Sequence, residues 1–231
     1  MFKIEKLSKS FGNSSNRQQV LQSLSFEIKA KCFTAISGPS GSGKSTLLSI
    51  LSGLEKADSG DINYNQLDIL SLPPSEMAQL RNNDFGFIFQ TPFFIPYKTV
   101  LENILLPSQY YDINKELNQE QIQKQFENRS IELAHSVGLQ DHMNKNPAIL
   151  SGGELQRMAF ARALMMQPKV VFADEPTASL DIENSENLLS MLQVQVQRGT
   201  TVIMVSHDQQ ALSWADKLLM LKEKGKQIVQ V

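Results

Sequence analysis

A single cysteine, Cys32, stands in the 231 residues. It can close no internal disulfide and cannot build a cysteine-rich zinc site, a usage that fits a reducing compartment; it reads as a packed strand residue. Apolar runs are equally scarce. The longest are short stretches such as Val170 to Ala173 and Ala163 to Met166, well below the ~18 residues that cross a bilayer, so no direct membrane insertion is expected. Charges scattered through Met1 to Gly12 leave no apolar core for a signal peptide, and the chain is expected in the cytoplasm unless a partner holds it at a membrane. A basic excess is missing as well: 22 Lys plus Arg face 24 Asp plus Glu, a net charge of −2, which argues against nucleic acid as a partner. The sequence has no internal repeat and no coiled-coil heptads.

What is there is an ordinary globular composition, 41% hydrophobic and 20% charged, in a chain long enough for one compact domain with a sizeable core. Short β-rich runs bounded by turn residues alternate with longer helical stretches, which predicts an α/β fold with a mostly parallel central sheet. Strands are expected at Phe33 to Ser37, Phe85 to Phe89, Val170 to Ala173 and Thr200 to Val205. Phe2 to Lys6 and Leu24 to Lys29 read as antiparallel strands, and Asp216 to Leu221 and Gln227 to Val231 as a closing pair. Helices are expected at Lys44 to Gly53, Glu154 to Gln167, Asn184 to Arg198 and Gln209 to Trp214. The middle, from about Thr91 to Leu150, is rich in Gln and Asn and shows no clear strand. Its most polar segment, Ser108 to Arg129, reads as a surface helix with a loop. A helical subdomain inserted into the α/β core, about 91–165 in extent, is the expected organisation.

Strand Phe33 to Ser37 runs directly into Gly38-Pro39-Ser40-Gly41-Ser42-Gly43-Lys44-Ser45-Thr46 and then into the apolar helical run Leu47 to Leu51. The order strand, GxxxxGKS, helix is that of a phosphate-binding loop. Glycines let backbone N–H groups curl around phosphate oxygens without Cβ clashes, and the following helix directs its positive end at them. Lys44 is placed to reach the β- and γ-phosphates, the Ser45 hydroxyl to ligate Mg²⁺, and Thr46 to sit near the α-phosphate. A flexible Gly/Ser turn is the plainer reading, and the flanking strand and helix weigh against it.

A P-loop enzyme also needs a carboxylate for hydrated magnesium and a group that positions or deprotonates the attacking water. The run Val170 to Glu175 offers both: the strand puts Asp174 at its carboxyl end, where open α/β sheets bind ligands, and Glu175 follows as the candidate base. Alone, the pair would read as an acidic turn after a core strand. In Leu150-Ser151-Gly152-Gly153-Glu154, Ser151 and Glu154 have the spacing of a capping box. A well-capped helix accounts for them, yet two glycines bare backbone donors at the helix N-terminus, which makes an anion site. A small domain needs no second γ-phosphate cradle more than one hundred residues from the first. The second is expected to serve a nucleotide held by another subunit.

In order and spacing these motifs resemble those of the nucleotide-binding subunits of ATP-binding cassette transporters, over essentially the whole chain. The resemblance implies a P-loop NTPase core of mostly parallel sheet with an antiparallel β subdomain and an inserted helical subdomain. It also implies hydrolysis of ATP with Mg²⁺. Ser151, Gly152 and Gly153 match the family's signature. Gln90, ending Phe85-Gly86-Phe87-Ile88-Phe89-Gln90, matches its Q-loop glutamine, which implies contact with the magnesium shell and the attacking water. Asp181, in Ser179-Leu180-Asp181, matches the D-loop, which implies contact with a partner's P-loop. His207, following Thr200 to Ser206, matches the switch histidine that bonds the γ-phosphate. Phe11, in Lys9-Ser10-Phe11-Gly12, sits where the family stacks an aromatic on adenine, with a plain core role as the alternative. Glu154 departs from the Gln of many members, and Lys31-Cys32 from a common Gly-Glu turn.

Cassette ATPases also serve chromosome maintenance, repair, ribosome rescue and iron–sulfur assembly, so transport does not follow from these motifs alone. Long coiled coils, a second cassette and zinc sites are missing from this sequence. Two readings remain: a homodimer docked on an integral membrane permease, or a soluble cassette ATPase on a non-membrane scaffold. Thr91-Pro92-Phe93-Phe94-Ile95-Pro96-Tyr97-Lys98-Thr99-Val100 gathers aromatics and prolines where family members receive a permease's coupling helix, although packing inside the helical lobe would explain them too. With Leu101 to Pro107 and Gly86 to Gln90, this segment is similar to the lipoprotein-releasing, macrolide-export and bacitracin-type subfamily, as is a chain that stops soon after its closing strands. That likeness implies export, lipoprotein release or force transmission, from a peripheral position on the cytoplasmic face of the inner membrane.

Overall fold

The central strands are almost wholly buried and rich in β-branched and aromatic residues, because both faces of their sheet are covered. In the computed structural model, which describes residues 1–13, 16–111, 118–222 and 225–230, the chain runs β1 (Phe2–Phe11), β2 (Gln18–Ile28), β3 (Phe33–Ser37), α1 (Lys44–Leu51), β4 (Ser59–Tyr64), β5 (Leu67–Asp68), α2 (Pro74–Asp84) and β6 (Phe85–Ile88). It continues through α3 (Val100–Leu105), α4 (Gln119–Ser136), α5 (Gly152–Ala163), β7 (Val170–Asp174), α6 (Ile182–Gln197), β8 (Thr201–Val205), α7 (Gln209–Leu212), β9 (Lys217–Lys222) and β10 (Gln227–Gln230). One sheet has the order β10-β9-β3-β8-β7-β6. All its pairs are parallel except the closing β9–β10 pair. The other, β2-β1-β4-β5, is antiparallel throughout.

The period of two along each central strand divides the core. Ile36, Phe172, Ile203 and Val205 face α1 and the antiparallel sheet. Ala35, Val171, Ala173, Val202 and Met204 face α3 to α7. The two sheets are joined by an aromatic cluster: Phe2 lies 4.9 Å from Tyr64, Tyr64 5.2 Å from Phe85, and Phe85 5.1 Å from Phe172. The Tyr64 hydroxyl donates to Asp84 at 2.9 Å, and burial beside that carboxylate pushes its pKa up. On the opposite side, Arg129 of α4 donates to the Met165 and Leu164 carbonyls just beyond α5, at 2.8 Å each.

Against the sequence-based expectations, the parallel strands and both antiparallel pairs are in place, and β1 and β2 extend further than expected. Strand β6 stops at Ile88, because the Phe89 carbonyl leaves the ladder to accept a side-chain hydrogen bond from Gln156. Cys32 is buried just ahead of β3 rather than within it. Helix α5 begins two residues before Glu154 and ends at Ala163, since Ser151 is its N-cap. Helix α7 ends at Leu212, short of the expected Trp214. Val231 lies outside the described residues, as does the 112–117 part of the polar segment Ser108 to Arg129. Elements β4, β5 and α2 were not anticipated. Their apolar positions are few: α2 buries Met77 alone, and the β4–β5 hairpin turns on Asn65 and Gln66, both at positive φ.

Candidate nucleotide site

The parallel pairing aligns the carboxyl ends of four strands. Ile36 pairs with Val205, Asp174 with Val205, and Ile88 with Ala173. Whatever follows those residues emerges along one edge of the sheet. Gly38 follows β3, Glu175 follows β7, His207 comes two residues after β8 and Gln90 two after β6. The topology thus places one strand exit each for four of the motifs identified in the sequence.

The loop from Gly38 to Gly43 owes its path to its glycines. At Gly38, φ is +152° and a Cβ would lie 2.4 Å from the Leu221 carbonyl oxygen; at Gly43, φ is +97° and a Cβ would lie 2.8 Å from the Val20 side chain on β2. Gly41, at φ +73°, would meet nothing within 4 Å, so the loop's outer side is open. Lys44 is buried, and its ammonium donates to the Gly38 and Pro39 carbonyls at 2.9 and 3.0 Å. Pro39 and Ser40 are exposed, and Thr46 is half-buried on the first turn of α1. Ser42 is buried, and its hydroxyl has no hydrogen-bond partner among the described residues. Backbone donors, one cation and an open side at a helix start fit a phosphate chain.

The Ser45 hydroxyl donates to Asp174 at 3.0 Å. Burial pushes the Asp174 carboxyl up from the usual carboxylate range, against the Ser45 hydrogen bond, which pulls it down. A hydroxyl and a desolvated carboxylate are hard oxygen donors, and a divalent cation such as Mg²⁺ would relieve the burial of that charge. Glu175 sits at φ +44°, a conformation costing a non-glycine residue about 1–2 kcal/mol. Its N–H bonds the Val205 carbonyl at 2.9 Å, and its carboxylate lies 3.1 Å from His207 Nδ1. Glu175 thus stands against the exit of β8, and a carboxylate and an imidazole share the edge beside Asp174.

The signature turn forms a separate group. Ser151 caps α5 in a full capping box: Glu154 N donates to the Ser151 hydroxyl at 3.3 Å, while the Ser151 N–H and hydroxyl donate to the Glu154 carboxylate at 2.8 and 2.7 Å. These bonds hold the Glu154 carboxyl below its ordinary range, and His142 stands 3.4 Å away. Gly152 is open, whereas a Cβ at Gly153 would lie 2.6 Å from Asn184 Oδ1. Asn184 donates to Asp181, the N-cap of α6, and accepts from Arg157 at 2.9 Å. Ser151, Gly153 and Asp181 are therefore brought together. Among the described residues no hydrogen bond or ion pair links them to residues 38–46.

Phe11, at the end of β1, is 42% exposed with the Lys9 ammonium 4.8 Å from its ring centroid, so a plain core role is excluded. Gln90 is exposed. The aromatic segment beyond it is divided: Phe93 and Tyr97 are 64% and 85% exposed, while Phe94 packs on the core. Buried Asn103 fixes this loop, accepting from Ile95 N–H at 2.7 Å and donating to the Ile95, Lys98 and Thr99 carbonyls. Asn103, Gln156, Arg157 and Asn184 went unassigned in the sequence. The signal was available for Gln156, an amide in the buried stripe of α5 with Ala159, Phe160 and Ala163.

The sequence matches the family described as ABC transporter over residues 21–178. The chain belongs to this family. The cassette is 37% identical over 223 residues to the ABC transporter ATP-binding protein YvrO of Bacillus subtilis, covering 96% of this chain and 94% of YvrO. With the ATP-binding protein HrtA of Staphylococcus epidermidis it shares 39% over 219 residues, 94% of this chain and 95% of HrtA. It also matches MacB of Pasteurella multocida, a macrolide export ATP-binding/permease protein, at 36% over 223 residues, covering 96% of this chain and 33% of MacB. Among solved structures, the dimeric cassette MJ0796 in a post-hydrolysis state with ADP and Pi superposes with a TM-score of 0.89 at 31% identity, covering 100% of this chain and 98% of that one. The fold is that of a P-loop ABC ATPase, and the cassette binds ATP with Mg²⁺ and hydrolyses it as the ATP-binding subunit of an ABC transporter. Among the described residues no helix is long and apolar enough to cross a membrane.

Proposed function

We propose that two copies of this cassette close on MgATP and drive a separate integral membrane permease from the cytoplasmic face of the inner membrane, in an export, lipoprotein-release or force-transmitting system. The observation that carries the reading is the separation of two phosphate-binding groups: Lys44, Asp174, Glu175 and His207 at the sheet edge, and Ser151, Gly152 and Gly153 at α5, with no bond between the groups among the described residues. A second copy brings its own signature turn to the first copy's nucleotide, and Asp181 to its loop. ATP is then the bridge, and hydrolysis removes the bridge. The dimeric form of the MJ0796 cassette supports this arrangement.

Within one copy, the backbone donors of residues 38–46 hold the phosphates, with Lys44 turning from the Gly38 and Pro39 carbonyls to the β- and γ-phosphates. Ser45, Asp174 and Gln90 would hold Mg²⁺, which supplies charge neutralisation at the leaving oxygen when bound. Glu175 accepts the proton of the attacking water, and His207, beside it, donates to the γ-phosphate. Phe11 offers its free face to adenine. Residues 91–165 act as the helical subdomain that carries the signature turn.

The permease side is supported by a groove of about 530 Å³ next to Gln90, lined by Phe87, Phe89, Leu106, Tyr110, Arg162 and Met166 among others. Exposed Phe93 and Tyr97 lie on the loop that follows. An amphipathic permease helix suits such a surface. MacB, similar to this chain over 223 residues, carries a permease in its own name, which supports a permease as the partner of this cassette. Names of relatives range from macrolide export to hemin import, so cargo belongs to the permease. The test is Glu175→Gln: phosphate release is lost while equilibrium MgATP binding is kept. Equal loss of both would contradict the division of roles.

A further inference from the structure

We infer that Gln156 is a positioning residue for hydrolysis, tying the loop that carries Gln90 to the loop that carries Glu175. Its amide lies on α5 with 1% of the residue exposed, and Nε2 donates to the Phe89 carbonyl at 3.1 Å and to the Pro176 carbonyl at 2.9 Å. Phe89 immediately precedes Gln90, and Pro176 immediately follows Glu175. One planar NH₂ group thus fixes the separation of the two loops that carry the proposed water-handling side chains.

Stability alone is a divided account of a glutamine here: its Nε2 supplies two backbone carbonyls with a donor that an apolar residue would not. Its Oε1 is buried without a hydrogen-bond partner among the described residues, a cost that an apolar residue of the same length would avoid. Neighbours in the same buried stripe of α5 are Ala159, Phe160 and Ala163, which pack without polar groups. What glutamine supplies, and methionine would not, is a pair of donors on one flat group.

The adjacent residue extends the tie. Arg157 donates from Nε to the Val137 carbonyl at 3.0 Å and from its terminal nitrogen to Asn184 at 2.9 Å. Helix α5 starts at the signature turn, so a displacement of Ser151 to Gly153 is carried along one rigid element to both sheet-edge loops. Misplacing the water or its base by a fraction of an ångström slows the chemical step more than it weakens phosphate binding, because the P-loop contacts are made elsewhere.

The inference rests on the roles proposed for Gln90 and Glu175, so Glu175→Gln is assayed beside the test variants. Gln156→Met keeps length and apolar packing and removes both donors. Gln156→Asn keeps the amide but is one methylene too short to span both carbonyls. In each, kcat for MgATP is expected to fall about tenfold or more with KM within about threefold of the parent, at a temperature where thermal melting shows the variant folded. A folded Gln156→Met or Gln156→Asn with kcat within about twofold of the parent overturns the tie. If Glu175→Gln is inactive in the same assay, the proposed role of Glu175 survives that result; if it is active, both fall. Failure of both Gln156 variants to fold also overturns the inference, by assigning Gln156 to stability alone.

Discussion

The carboxylate of Glu175 stands 3.1 Å from Nδ1 of His207, across the exits of two neighbouring parallel strands. At this contact Glu175 has a positive φ, and its N–H donates to the Val205 carbonyl. The proposed base and the proposed γ-phosphate donor thus stand side by side, an arrangement that would lower the reorganisation needed in the transition state.

His207→Ala removes the proposed γ-phosphate donor and leaves the proposed base, Glu175. Its kcat is expected to fall about 100-fold, with a smaller change in KM, because the P-loop carries ground-state binding. Steady-state phosphate release checks this; a kcat within about twofold of the parent would separate His207 from the reaction.

Glycines of the P-loop differ in what they tolerate. Gly38→Ala drives a Cβ to 2.4 Å from the Leu221 carbonyl, and a loss of about 2–3 kcal/mol in denaturant unfolding is expected. Gly41→Ala meets no neighbour within 4 Å, so only its φ is costly, about 1 kcal/mol. Equal destabilisation by the two substitutions would contradict the loop path.

The capping of α5 carries a pH dependence. Hydrogen bonds from Ser151 hold the Glu154 carboxyl below the ordinary value of 4.5. A carboxyl depressed in the native state contributes stability that is present above its unfolded pKa and lost as pH falls through the native one. The parent should exceed Glu154→Gln by about 1 kcal/mol near pH 6, and the margin should shrink as pH drops below about 4.5. Chemical denaturation across that range would reveal a pH-independent margin if the carboxylate were not the capping group.

Exposure separates the aromatics proposed to meet the permease. Tyr97→Asp, at 85% exposure, is expected to weaken co-purification with a membrane subunit while moving the melting midpoint by about 1 °C or less. Phe94→Asp, packed on the core, should lower that midpoint by several degrees as well. Fractionation of the native protein with soluble partners alone would instead favour a non-membrane scaffold.

The central strands were legible in the sequence because apolar runs such as Val170 to Ala173 end at turn residues with chemical character, Asp174 and Glu175. The P-loop was legible for the same reason: its glycines have one use in that order. Strand β4 and helix α2 were not, since burial at Ile62, Tyr64 and Met77 is too sparse to set a period. Nor could spacing reveal the links made by Gln156, Asn103 and Asn184, which join segments 67, 8 and 27 residues apart through side-chain amides. Such contacts exist only once the chain is folded.

In the proposed dimer, a second copy completes the nucleotide site. Gly152 is the cleaner place to test it, because a Cβ there has no non-neighbouring atom within 4 Å in its own chain, unlike one at Gly153. Sedimentation velocity of Glu175→Gln should show monomers without nucleotide and dimers with saturating MgATP, and adding Gly152→Asp should return the MgATP sample to monomers while leaving nucleotide binding by the monomer intact. A Glu175→Gln protein that binds MgATP and stays monomeric, or dimers indifferent to Gly152→Asp, would contradict the shared site.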